Sequence, residues 1–446
     1  MKIGIRTEDK NEWERRAPLA PEHVAQLTAA GVAVLVEPSP RRAFADADYQ
    51  RAGAELAPDL MDRPDCPVVL AVKEIPTRLL REQRTYVYFA HVIKGQPYNM
   101  PMLQRVLELD ATLIDYERVV DDQGRRLIFF GRHAGLAGML DSLWALGRRL
   151  ADEGFDTPFA RLQPAHGYAD LAAAERAVDA VGRAIASQGM PIEIGPLVFG
   201  FAGYGNVSQG AQAILDRLPH RSLEPEQLAE TLRAPDPKRV TKVVFAEQHM
   251  VRPLDPQQPF ALQDYYQHPE RYRGVFGRYV PYLSVLVNCI YWTPDYPRLV
   301  SRDLLRGMFG AGLQPRLRVI GDISIDIEGA VECSLKATDP SDPVYVYLPE
   351  QDRVVDGVSG HGPVVLAVDN LPCELPVEAT RDFGDALLPY VAGLAGADRS
   401  VPFAELDLPA PLKRAVIAHR GELTPDYAYL QEPLRRALSS QEDGRR

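Results

Sequence analysis

The sequence predicts an α/β fold of two doubly wound domains, and three observations carry that expectation. Short apolar β-rich runs alternate with helical runs through the first third of the chain, the signature of parallel strands joined by crossover helices. A second series of β-rich runs begins at residue 197. At 446 residues the chain is also too long for a single core and divides most naturally into two domains or three.

The elements follow in order. "KIGI" reads as the opening strand, and "APEHVAQLTAAG" as a helix with Pro21 near its first turn and Gly31 past its end. "VAVLVE", "VVLAV", "YVYFA" and "ATLIDY" are further strands, and "DDQGRR" is a tight turn leading into "LIFFG". From Gly135, "GLAGMLDSLWALGRRLADEG" has helical spacing and is expected to connect the two domains. "DLAAAERAVDAVGRAIASQG" is a second helix. "TKVVFA", "SVLVNCIYW", "RLRVIGDIS", "PVYVYL" and "PVVLAVDN" suit a second parallel sheet with an elaborated edge. Residues 220–280, rich in Pro, His and Tyr, read as a loop-heavy insertion. The C-terminal stretch is expected to be mostly helical and to pack back on one domain, with "SSQEDGRR" frayed.

Composition narrows the function. Apolar residues make up 46% and charged residues 25%, as in ordinary globular proteins. A net charge of −11 disfavours nucleic acid, whose binding needs clustered Lys and Arg. No apolar run approaches the roughly 20 residues that cross a bilayer, and "MKIGIRTEDK" lacks the layout of a signal peptide. Cys66, Cys289, Cys333 and Cys373 are widely spread, with neither zinc-ligand nor disulfide spacing. The expectation is a cytoplasmic protein with small-molecule substrates, no metal and no membrane or nucleic-acid partner, as a monomer or homo-oligomer.

One strand–turn–helix stands out: "LVFGFAGYGNVSQGAQAIL", residues 197–215. A dinucleotide's pyrophosphate needs close backbone approach and the free N–H groups of a helix N-terminus. Gly203 and Gly205 meet the first need. Asn206, Val207 and Ser208 open the helix, Ser208 with a hydroxyl to offer phosphate. Gly210 arrives late for the usual third glycine and is expected to permit close helix–strand packing. An acid is due about 20 residues on, and Glu224 stands there. Glu224 favours NAD through the ribose hydroxyls, whereas Arg221 leaves room for a 2′-phosphate, so the residues leave the coenzyme open.

Ligands of doubly wound sheets sit beyond the carboxyl ends of the strands. There "VVLAV" ends in Lys73 and Glu74, "YVYFA" in His91, and "ATLIDY" in Glu117. Lysine and histidine are suited to proton transfer near neutral pH. Singly, each has a plain structural reading as a solvated pair or a hydrogen-bonded histidine; together, beside a coenzyme turn, they read as an acid–base set. Arg15, Arg16, Arg125 and Arg126 are candidate partners for substrate carboxylates, against an equally simple surface reading. In the second sheet, Asn288, Cys289 and Asp322 end strands where a nicotinamide ribose would lie, with a core reading equally good for Cys289.

The segments "ERRAPLAPEH", "AVKEIP", "YFAHVIK", "IDYERVVDDQGRRLIFFGRHAGLAGM", "GNVSQGAQAIL" and "DNLPCELPVEAT" resemble the lysine–2-oxoglutarate reductases, that is, the lysine-forming saccharopine dehydrogenases. These are relatives of alanine dehydrogenase and transhydrogenase. "HPERY", "TPFA" and "NCIYWTPDYPRLVSRD" look closest to the reductase half of aminoadipic semialdehyde synthase. The resemblance runs in order over nearly the whole chain, and no second catalytic half is expected after it. Residues 220–280 resemble only the bifunctional enzyme.

The resemblance implies two Rossmann-like domains with a cleft between them. The substrate domain, residues 1–132 plus 375–446, is then discontinuous around a dinucleotide-binding domain, residues 133–374. It implies NAD(P)H-dependent reductive condensation of L-lysine with 2-oxoglutarate to saccharopine. Lys73 and His91 match the family's catalytic pair, Glu74 and Glu117 the acids that tune it, and Arg16, Arg126 and Phe130 the substrate-binding set. Gly203, Gly205, Asn206, Val207, Ser208, Glu224, Asn288 and Asp322 form the coenzyme set, with NADP(H) placed ahead of NAD(H) on the family's usual preference. Motifs shared across the superfamily leave an alanine-type dehydrogenase, or another amine and oxo acid, as alternatives. A catalytically silent binding module is the alternative from another class, and it has no need of the acid–base set.

Overall fold

A computed structural model describes residues 1–232 and 235–443. Its first strands are β1 (Lys2–Ile5), β2 (Ala33–Val36), β3 (Glu55–Leu56), β4 (Val68–Leu70), β5 (Thr85–Tyr88) and β6 (Thr112–Asp115). There follow β7 (Val198–Ala202), β8 (His220–Ser222), β9 (Val240–Phe245), β10 (Val251–Pro253), β11 (Tyr272–Gly274), β12 (Val285–Asn288) and β13 (Val319–Asp322). The last are β14 (Val344–Leu348), β15 (Arg353–Asp356), β16 (Val364–Leu366), β17 (Val416–His419) and β18 (Glu422–Leu423). Two units contain them: Met1–Phe130 together with the segment from Pro376 onward, and Gly131–Leu375.

The first unit is one sheet in the order β18-β17-β6-β5-β4-β1-β2-β3. From β6 to β3 all neighbours are parallel. Strands β4, β5 and β6 are wholly buried, which explains their unbroken apolar runs, since helices cover both faces of such sheets. The chain leaves β1 toward β2 and then returns beside β1 as β4, so the strand order reverses there. That reversal is where doubly wound sheets hold ligands. The C-terminal stretch, expected to be mostly helical, contributes the long helix Pro376–Gly396 but also β17 and β18. Strand β17 joins β6 antiparallel, because Val416, Ile417 and Ala418 are apolar enough to be fully buried at that edge.

The second unit is a sheet in the order β15-β14-β16-β13-β12-β7-β9-β8, with β10 and β11 as a separate pair. Its core strands are parallel and its elaborated edge, β14 and β15, is antiparallel. Residues 220–280 are more than a loop-rich insertion: they supply β9, which pairs with β7 along its whole length. The helix expected to link the domains runs Gly131–Asp152 and belongs to this unit alone. Among the described residues, no helix is long and apolar enough to cross a membrane.

Candidate active site and coenzyme turn

In the first unit, three adjacent parallel strands deliver the predicted groups to one edge. Lys73 and Glu74 follow β4, His91 follows β5, and Glu117 follows β6. The backbone at Lys73 is held from the neighbouring β1 side. Both oxygens of Glu8 accept backbone N–H groups, from Val72 at 2.6 Å and Lys73 at 3.0 Å. Burial, with the Glu14 charge beside it, pushes Glu8 up to about 7. Nothing in the local sequence "RTEDK" distinguishes this glutamate from a surface acid.

His91 sits in the left-handed region at φ 49°, a conformation that costs a non-glycine residue energy and collects at functional sites. Asn99 secures it by donating to the carbonyls of Ala90 (3.1 Å) and His91 (3.3 Å). The ring Nδ1 meets Glu74 Oε1 at 2.6 Å. Burial favours the neutral form of Glu74, but the hydrogen bond and charge of His91 outweigh it and bring the carboxyl down to about 2. Lys10 Nζ stands 3.5 Å from the other oxygen. A carboxylate only accepts, so Nδ1 carries a proton and Nε2 is the ring atom left to exchange one.

Asp115, the last residue of β6, joins this group although the sequence reading passed over it. It is fully buried, accepts the Glu117 N–H at 2.9 Å, and leaves Oδ2 without a partner. Burial foremost, then the Glu117 charge, raises it to about 7 against the hydrogen bonds it accepts. An aspartate closing the apolar strand "TLID" was the available signal.

Two of the expected residues have ionic partners within the protein. Glu117, expected to tune the catalytic pair, forms its ion pair with Arg126. Of the two glutamates, Glu74 is the one that hydrogen-bonds the His91 ring. Arg16, expected to face a substrate carboxylate, is gripped by Glu14 through Nε (2.7 Å) and Nη2 (2.5 Å). Both side chains are buried, and a buried charge requires a partner. The Arg16 guanidinium lies 4.3 Å over the Phe130 ring, which in turn stacks on Phe383 at 4.7 Å. Arg126 is half-exposed, and Arg125 turns back to Asp121. Beside Glu74 a cavity of about 550 Å³ is lined by Asp9, Lys10, Arg78, Tyr98 and Asn99 among others.

In the second unit, β7 runs through the glycine turn into the helix Asn206–Leu215. Gly203 has φ +92°, which a side chain would strain. A Cβ on Gly205 would meet nothing within 4 Å, leaving open space over the turn. Gly205 and Asn206 are exposed, and no side chain caps the helix. Its first N–H groups therefore face outward as anion donors. The turn fits a dinucleotide's pyrophosphate.

Other parts of the turn depart from expectation. Ser208, expected to donate to phosphate, is fully buried; its hydroxyl accepts from Gln212 (2.9 Å) and bonds the Cys289 thiol. Gly210 packs helix on helix rather than helix on strand. A Cβ there would lie 2.1 Å from the Arg132 carbonyl oxygen, and one on Gly135 would lie 1.9 Å from that of Val207. Glu224 follows β8, which lies at the sheet edge, not beside β7. Arg221 donates to Thr241, level with Val198 at the amino end of β7. Asn288 and Asp322 do stand at the carboxyl ends of β12 and β13, in register with Ala202. Asn288 donates to Asp322 at 2.7 Å, Ser334 donates to its other oxygen, and burial raises Asp322 to about 6.

Two doubly wound units, one bearing titratable groups at its strand ends and the other a glycine turn at a helix N-terminus, make up the two-domain Rossmann-like fold of the alanine dehydrogenases and transhydrogenases. The chain belongs to the alanine dehydrogenase/PNT family: the N-terminal domain of that family matches residues 4–137 and the C-terminal domain residues 284–426. It is 42% identical over 446 residues to an alpha-aminoadipic semialdehyde synthase of Arabidopsis thaliana, covering 96% of this chain and 41% of the relative. The chain thus spans less than half the length of that relative. It is 28% identical over 409 residues to the saccharopine dehydrogenase [NAD(+), L-lysine-forming] of Neurospora crassa, covering 88% and 91% of the two chains. Among solved structures, an L-alanine dehydrogenase shares the fold at a TM-score of 0.62 and 21% identity, covering 98% of this chain and 100% of the other.

Proposed function

We propose that the chain catalyses the reversible condensation of L-lysine with 2-oxoglutarate and reduction of the resulting imine to saccharopine. The carrying observation is the Glu74–His91 pair beside Lys73 at adjacent strand ends, in a chain this similar to aminoadipic semialdehyde synthases. The first unit is the substrate domain and the second the coenzyme domain.

The chemistry asks for two proton-transfer sites. Lysine's ε-amine must lose a proton to attack the 2-oxo carbon, and the carbonyl oxygen must gain protons to leave as water. Lys73 and His91 Nε2 supply those transfers, with Glu74 fixing the His91 tautomer and Glu8 the Lys73 backbone. When bound, reduced nicotinamide coenzyme supplies the hydride that converts imine to secondary amine. The backbone N–H groups after Gly205 would hold its pyrophosphate, and Asn288 and Asp322 would serve its nicotinamide ribose. Arg126 and the Lys10 and Arg78 side chains of the cavity beside Glu74 are cations suited to the substrates' carboxylates. The four cysteines are buried, in keeping with a reducing, cytoplasmic setting.

The test is loss of NADH or NADPH absorbance with lysine and 2-oxoglutarate, each then omitted in turn. Oxidation that requires both substrates supports the proposal. Oxidation with pyruvate and ammonia alone moves the activity to an alanine-type dehydrogenase, and no turnover with any amine removes the enzymatic reading.

A further inference from the structure

We propose that Glu247 is the residue that binds the adenosine ribose and that it makes the chain an NAD(H)-preferring enzyme. This rests on the coenzyme reading of the glycine turn given above. It reverses the expectation of NADP(H) and replaces Glu224.

The reason is strand order. In a dinucleotide-binding sheet the ribose lies over the carboxyl end of the strand beside the one that enters the glycine turn, and an acid there takes the ribose hydroxyls. Counting along the sequence assumes that the neighbouring strand is the next one. Here the next strand, β8, goes to the edge, and β9 inserts between β8 and β7. Strand β9 pairs with β7 from Val198–Thr241 to Ala202–Phe245, and the Gly203 N–H continues the ladder by donating to the Phe245 carbonyl at 2.9 Å. Two residues later comes Glu247.

The side chain is placed for the task. Glu247 is half-buried, and its Oε1 accepts from the Tyr266 hydroxyl at 2.6 Å. Its charge acts on Tyr204, the residue between the two glycines of the turn, and holds that phenol above its ordinary pKa. The carboxylate therefore borders the turn itself. Among the described residues no lysine or arginine pairs with it. A carboxylate accepts from the vicinal 2′- and 3′-hydroxyls of NAD(H) and repels the roughly doubly negative 2′-phosphate of NADP(H). Arg221, the cation nearest in sequence reasoning, is level with the far end of β7, four residues before Ala202, or about 13 Å along the strand.

The experiment measures dissociation constants of NADH and NADPH for the full chain by tryptophan fluorescence quenching, with thermal unfolding as the check on folding. Unsubstituted protein should bind NADH at least tenfold more tightly than NADPH. Glu247→Gln should weaken NADH five- to twentyfold and bring the two constants close together. A preference for NADPH in the unsubstituted chain overturns the inference, as does an unchanged ratio in a folded Glu247→Gln protein. Loss of the preference in Glu224→Gln instead assigns the ribose to the edge strand and also overturns it. Binding of neither coenzyme overturns the underlying reading of the turn.

Discussion

His91 Nδ1 lies 2.6 Å from Glu74 Oε1, and the carboxyl, brought down to about 2, stays ionised through the physiological range. The pair sets which histidine nitrogen exchanges protons. Glu74→Gln should lower kcat by about 10–100-fold, read from the pH profile of coenzyme oxidation. A stability readout separates this from simple unfolding. Glu74 falls from 4.5 to about 2 on folding, so its stabilisation is present above pH 4.5 and fades as pH drops toward 2. The gap in urea midpoint between the two proteins should close over that interval. A constant gap would show that the charge does not stabilise the fold.

Lys73→Met should reduce kcat about 100-fold or more while leaving coenzyme affinity intact. Glu8→Gln should act at the same place more weakly. An amide offers only one acceptor oxygen to the Val72 and Lys73 N–H groups that Glu8 now serves with two. Full activity in the lysine variant would remove Lys73 from the proton path.

Asp115 carries a pH signature of opposite sign. Its carboxyl rises from 3.8 to about 7 on folding, so the protein loses stability as pH climbs through that window. Asn in its place still accepts the Glu117 N–H but never becomes charged. Between pH 5 and pH 8, Asp115→Asn should therefore gain on the unsubstituted protein by on the order of 1–3 kcal/mol in urea unfolding. Parallel stability curves for the two proteins would contradict the burial cost.

The glycines of the coenzyme turn should separate into two kinds. Gly210→Ala drives a methyl into the Arg132 carbonyl and should cost about 1–3 kcal/mol or more, seen as a lower Tm. Gly205→Ala meets open space at φ −74°, so Tm should hold while the NADH dissociation constant rises at least tenfold. Equal effects on Tm would deny that distinction.

Much of this was legible in the residues. Apolar runs such as "VVLAV" and "YVYFA" mark buried parallel strands because both faces of the sheet are covered. Their ends then present Lys73, Glu74 and His91 on one rim. The turn at Gly203 and Gly205 is equally local, a matter of backbone conformation and helix start.

What escaped the sequence depends on distant neighbours. Glu8 and Asp115 look like ordinary acids until folding buries them. Arg16 looks available until Glu14 is packed beside it. Ser208 stands at the third position of a phosphate loop with Gly210 two residues on, yet the helix Gly131–Asp152 presses against that face at Gly210, and Ser208 turns into the core.

The sequence by itself determined two α/β units, a glycine turn between strand and helix, and the titratable groups at the strand ends, because periodicity and turn chemistry act over a few residues. Only the tertiary structure decided which acid stands beside the glycine turn. Spacing along the chain pointed to Glu224, but hydrogen-bonded strand order put β9 next to β7 and carried Glu247 to the turn. Pairing between strands is set by contacts far apart in sequence, and counting residues does not reveal it.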